Sequence, residues 1–175
     1  MVTDTEVPTA PLLWAESIHG DLVLVDRVQA DGWKQQERGQ GTAGDPFADG
    51  SAALVECGAG VSLRLATPEG SSATTVETAE SGVVYVITDL AGSGHEPLRE
   101  AATQIPDEKF VNTGKRLTVG FVGLVLYDGA ASWEMVSGSM LYVYADAKKG
   151  EYEIDVCASH EADGREMRVL RLRPA

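Results

Sequence analysis

Apolar residues along this chain recur mostly at every second position or in short unbroken runs. Leu12 to Ile18, with Trp14 at its centre, reads as a first strand. Leu22-Val23-Leu24-Val25 is continuous and closed by Asp26, the pattern of a strand buried on both faces. Ala53 to Cys57 and Val61 to Leu65 follow, the second alternating apolar with polar, with Gly58 and Gly60 between them to supply a hairpin turn. Thr74-Thr75-Val76 reads as an edge strand and Val83-Val84-Tyr85-Val86-Ile87 as a central one. The second half offers Arg116 to Gly120, Gly123 to Tyr127, Met140 to Tyr144, Glu151 to Val156 and Arg168 to Leu172, with Lys148-Lys149-Gly150 as a turn.

Helical spacing is expected in one place near the midpoint. Pro97 suits a first helical turn, Leu98 to Gln104 holds good helix formers, and Pro106 ends the segment. Leu98, Ala101, Ala102 and Ile105 share a face, which predicts packing on a sheet.

The two halves run in parallel. Leu22-Val23-Leu24-Val25-Asp26 matches Leu124-Val125-Leu126-Tyr127-Asp128, and Trp33 and Trp133 follow. Next in each half come two strands around a glycine, Gly60 or Gly150, and then a closing strand, Val83 to Ile87 or Arg168 to Leu172. Residues 12–90 and 116–173 therefore read as two similar β units; chance likeness between β-rich stretches is the alternative. One unit cannot cover its own apolar face, whereas two can face each other. The expected fold is mainly β: a two-sheet antiparallel sandwich or flattened barrel with one short helix near the midpoint. Residues 11–175 are expected to form a single domain after a flexible tail, 1–10. Lys34 to Ser51, rich in glycine with Phe47 as its one large apolar residue, reads as a mobile insert or a binding loop.

Charge narrows the function classes. The 175 residues hold 27 acidic and 14 basic side chains, a net charge of −13. Such a surface repels nucleic acid and anionic membrane, which need cations to replace counterions, and it steers basic partners inward. No stretch approaches the roughly 20 apolar residues of a spanning helix, and the N-terminus lacks a basic region followed by an apolar run. A cytoplasmic protein with Cys57 and Cys157 as buried thiols is expected.

Reactive constellations are sparse. Ser17, His19 and Asp21 alternate, but i and i+2 neighbours on a strand lie about 6.5–7 Å apart, beyond the reach of a nucleophile–base pair. Cys157 and His160 read as a strand end followed by a polar loop, Ser159 to Gly164; a metal site would need two more ligands, with His19 and His95 joining only through the fold. Gly58-Ala59-Gly60 and Gly92-Ser93-Gly94 do not complete a dinucleotide-binding fingerprint. No catalytic residue, metal or cofactor is expected. Glu151, Glu153 and Asp155 are the most legible surface feature: with Tyr152, Ile154 and Val156 turned inward, the three carboxylates face outward together, either as a solvated face or as a docking strip for a basic partner. Trp33 reads as either a core plug or an interface anchor, and Trp133 as core.

Trp14-Ala15-Glu16-Ser17-Ile18-His19-Gly20-Asp21-Leu22-Val23-Leu24-Val25 resembles one family of bacterial polymorphic-toxin immunity proteins, which opens with a Trp-x-Glu-Ser segment, then glycine and an apolar strand. The family's Gly-Gly or Gly-Pro after the serine is Ile-His-Gly-Asp here. The resemblance implies a small partner that binds and silences a cognate toxin, and carries over no catalytic residue. The leading expectation is a non-enzymatic acidic protein that docks on a basic protein through Trp33, Asp45, Phe47, Asp49, Glu151, Glu153 and Asp155. The alternatives are a small-molecule-binding β-sandwich and an enzyme whose site assembles from distant strands.

Overall fold

The computed structural model describes residues 13–16, 21–33, 52–57, 60–66, 73–90, 96–120 and 123–175. Asp45, Phe47 and Asp49, His19 and His95, the tail 1–10 and the 34–51 segment lie outside the described residues.

Two antiparallel sheets form a sandwich. In chain order the strands are β1 (Ala15–Glu16), β2 (Asp21–Asp26), β3 (Ala52–Cys57), β4 (Gly60–Ala66), β5 (Ala73–Thr78) and β6 (Val84–Asp89). After α1 (Glu96–Thr103) come β7 (Val111–Val119), β8 (Leu124–Asp128), α2 (Trp133–Gly138), β9 (Val143–Ala145), β10 (Gly150–Ala162) and β11 (Arg165–Pro174). The six-stranded sheet has the order β1-β5-β6-β11-β10-β7, and the five-stranded sheet β3-β4-β2-β8-β9.

The core lies in three layers. Between the sheets, Leu22, Leu24, Leu63, Leu65, Leu124 and Leu126 meet Val84, Val86, Leu117, Ile154, Leu170 and Leu172. On the outer face of the five-stranded sheet, Val23, Val25, Val125 and Tyr127 pack under Ala30, Trp33 and Val136. On the outer face of the six-stranded sheet, Ile87, Val169, Met167 and Cys157 are covered by Leu98, Ala102 and Ile105 around α1. Burial on both faces explains why β2 and β8 are unbroken apolar runs.

Those two runs pair with each other. Leu22 lies opposite Asp128, Leu24 opposite Leu126 and Asp26 opposite Leu124. In the other sheet the two closing strands also pair, Val86 with Leu170 and Val84 with Leu172. Strand order is nearly symmetric about these seams: exchanging β1 with β7, β2 with β8, β4 with β9, β5 with β10 and β6 with β11 reproduces both sheets, and β3 has no counterpart among the described residues. The aspartate ending each run has one local job. Asp26 accepts the Val28 amide at 3.1 Å, and Asp128 accepts the Ala130 amide at 3.0 Å, so each side chain turns the chain off its strand into the next short segment.

Several expected elements differ. Gly150 makes no hairpin, because β9 and β10 belong to different sheets; the equivalent of β9–β10 is the β4–β5 crossing, not the β3–β4 hairpin at Gly60. Met140 to Leu141 is not strand: the Leu141 amide still bonds the Val136 carbonyl at 3.0 Å as the chain leaves α2. The sequence expectation missed α2, which Ser132 caps by accepting the Met135 amide. Thr74 to Val76 is second from the edge, with β1 outside it. Ser159 to Gly164 is not a polar loop but a continuation of β10 into a two-residue Asp163-Gly164 turn, both residues at positive φ (52° and 74°), the geometry that matches strand twist.

Candidate functional site

The carboxylate row gathers neighbours that the sequence analysis did not assign to it. Glu151, Glu153 and Asp155 share one face of β10, as alternation requires, but β10 lies between β7 and β11. Register sets Glu153 opposite Arg116 of β7 and Arg173 of β11, and Asp155 opposite Arg171. Opposed residues in an antiparallel pair project to the same side, so the guanidinium groups cover the carboxylates.

Asp155 is the hub and is not a solvated surface group: its side chain is 3% exposed. One oxygen accepts Arg173 Nε at 2.5 Å and Arg171 Nε at 3.1 Å; the other accepts Asn112 Nδ2 at 3.0 Å and Arg173 Nη2 at 3.2 Å. Burial opposes ionisation of this carboxyl, but the hydrogen bonds and charges of Arg173 and Arg171 outweigh it and hold Asp155 below the ordinary carboxylate range. Arg171 reaches on to Asp107 Oδ1 at 2.5 Å and lies 4.0 Å over the Phe110 ring. Arg173 also bonds Glu153 at 3.1 Å, and Arg116 spans Glu151 at 3.1 Å and Glu153 at 3.4 Å.

The row does share one outer face, but Asp155 is no part of a solvated one. Three arginines and four carboxylates form one chain of ion pairs, buried at Asp155 and more than half exposed at its two ends, Glu151–Arg116 and Asp107. The missed members are Asp107, Asn112, Arg116, Arg171 and Arg173; the Arg171-Leu172-Arg173 alternation of β11 was the available signal.

Trp33 resolves as core. It is 7% exposed, packs in the layer over the five-stranded sheet, and donates Nε1–H to the Gly129 carbonyl at 2.9 Å. The indole therefore ties the end of the 3-10 turn Arg27–Gly32 to the turn after β8 and presents no free face to a partner.

Trp133 is only half buried. Its ring lies 5.6 Å from that of Tyr127 and 5.1 Å from that of Tyr142, both tilted. Tyr144 is also half buried, carries the Arg27 guanidinium 5.9 Å above its ring, and donates its hydroxyl to Asp146 at 3.0 Å. Around this stack Val28, Met135 and Leu141 are 57%, 60% and 49% exposed. Composition alone puts Tyr142 and Tyr144 on a regular strand and signals no surface role for them.

Reactive groups do not assemble among the described residues, where no set of three His, Cys, Asp or Glu side chains is placed to hold a metal ion. Cys157 is buried, and burial raises its thiol pKa, the opposite of what a nucleophile needs. A groove of about 770 Å³ opens between the β5–β6 turn, the Asp146–Gly150 segment and Pro174; Tyr152, its one aromatic, lies buried and spends its hydroxyl on the Lys148 carbonyl at 2.8 Å. The chain matches no family model, no curated protein and no solved structure.

Proposed function

We propose that this protein is a non-enzymatic acidic binding protein that neutralises a basic protein by direct contact, as the immunity proteins its N-terminal segment resembles do. The supporting observation is a surplus of carboxylate that the protein does not consume internally. The network on the six-stranded sheet occupies Arg116, Arg171 and Arg173 with four carboxylates. Asp31, Glu80, Glu100, Glu108, Glu134, Glu161 and Asp163 stand exposed outside it, in a chain of net charge −13. Such a field raises encounter rates with a cationic partner and disfavours acidic ones.

The test is affinity capture from the native host, followed by rebuilding the complex from purified components. A basic partner whose own activity falls on binding, and whose affinity weakens by roughly tenfold or more between 0.05 and 0.5 M salt, supports the reading. An acidic partner, or an affinity indifferent to salt, refutes it.

A further inference from the structure

We infer that the basic protein docks on the outer face of the five-stranded sheet, on the aromatic stack Trp133, Tyr142 and Tyr144 with Val28, Met135 and Leu141 exposed around it. This deepens the binding-protein reading and rests on it. Exposed apolar residues scattered singly need no explanation, but these stand on adjoining segments. The 3-10 turn bearing Val28 packs against α2 bearing Met135, and the Leu141 amide folds back onto the end of α2. Arg27, next to Val28, lies over Tyr144, which brings that turn to β9. Aromatic rings and methionine are the side chains enriched where interfaces are most deeply desolvated. Trp133 already touches Tyr142 and the buried Tyr127, and Tyr144 is held by Arg27 and Asp146, so little conformational freedom remains to be lost on binding.

The rim decides the occupant. Glu134 adjoins Met135; Asp31 lies three residues from Val28 on a 3-10 turn, where i and i+3 stack; Asp146 holds the Tyr144 hydroxyl. All three are exposed, and the described cation nearest the rings, Arg27, is already placed over Tyr144. An apolar centre ringed by carboxylates fits a partner with apolar anchors ringed by lysine and arginine. A second copy of this chain would set one acidic rim against another in molecules of charge −13 each.

The experiment uses the full chain and the purified captured partner, with Met135→Ser and Leu141→Ser combined, a change that removes the apolar anchors and leaves charge untouched. Affinity is expected to fall at least about thirtyfold, with circular dichroism and melting temperature unchanged, whereas Glu151→Gln on the opposite sheet keeps affinity within about threefold. A photo-crosslinker at position 135 is expected to capture the basic partner, and one at position 116 is not. A basic partner that binds the double serine variant as tightly as the wild type overturns this surface and leaves the binding function standing. A crosslink from position 135 to a second copy, with wild type sedimenting as a dimer, overturns the choice of occupant. If no basic partner is recovered at all, both readings fall.

Discussion

Asp155→Asn is the sharpest perturbation of the ion-pair network, because it keeps shape and the potential for hydrogen bonding while removing the central charge. The wild-type carboxylate receives five nitrogen contacts at 2.5 to 3.2 Å, from Asn112, Arg171 and Arg173. Breaking a buried ion pair from one side costs about 3–5 kcal/mol, since the surviving charge stays desolvated. Two features reduce that here. Arg171 keeps Asp107 and the Phe110 ring, and Arg173 keeps Glu153 with a side chain 39% exposed, so solvent screens part of its loss. The expected cost at pH 7 is therefore about 2–3 kcal/mol, or a melting temperature lower by about 5–10 °C in a chain of this size.

The pH dependence separates the charge from the shape. Asp155 has a folded pKa below its unfolded value of about 3.9. Its stabilisation is thus fully present above about pH 5 and disappears as pH falls through the lower, folded value. Urea melts of wild type and variant at pH 7, 5 and 3 should show a gap that is constant from 7 to 5 and narrows at 3; carboxylates common to both proteins cancel in the difference. A gap under about 0.5 kcal/mol at pH 7, or one that does not narrow in acid, refutes the assignment of Asp155 as an ionised hub.

Three further outcomes are expected. Trp33→Phe removes the donor to the Gly129 carbonyl and should cost about 1–3 kcal/mol in urea melts while leaving partner affinity unchanged, since the indole is core rather than an anchor. Gly123→Ala should cost at least about 2 kcal/mol and alter near-ultraviolet dichroism: Gly123 has φ +88°, and a Cβ there would stand 2.5 Å from the Tyr144 ring. Cys157 should react with a thiol reagent under native conditions at a rate that follows opening of the fold rather than thiolate availability, because α1 covers its layer and burial raises its pKa; rapid stoichiometric labelling at pH 7 would contradict this.

Much of the architecture was legible because both sheets impose simple periods. The continuous runs of β2 and β8 announced burial on two faces, and the alternation of β10 and β11 announced one buried face. The single expected helix lies within two residues of α1. What stayed hidden depends on pairing. Met140 to Tyr144 has strand composition, yet the capped turn of α2 claims its first residues, a tertiary override of propensity. Trp33 and Trp133 look alike in sequence, and only the carbonyl of Gly129 beneath one of them separates a core plug from a half-exposed ring.

The carboxylate strip shows how one residue of register can reverse a surface. The Asp163-Gly164 turn pairs Ala162 with Arg165 and Glu161 with Glu166, and continuing that register would set Asp155 opposite Leu172 and Ile154 opposite Arg173. Acidic and apolar side chains would then share each face, and a face so mixed could neither pack nor stay wet. The observed ladder instead shifts between Cys157 and His160, so that Asp155 meets Arg171 and Ile154 meets Leu172. That irregularity sorts the ribbon into an apolar inner face and an outer face on which the ion pairs adjoin the apolar layer under α1. It also changes what the acidic residues are for. Read without the bulge, Glu151, Glu153 and Asp155 are charge on offer to a partner; read with it, they are largely matched by arginines of their own sheet. The charge left for steering then lies elsewhere, and around α2 and its neighbouring turn it surrounds the half-exposed aromatic stack.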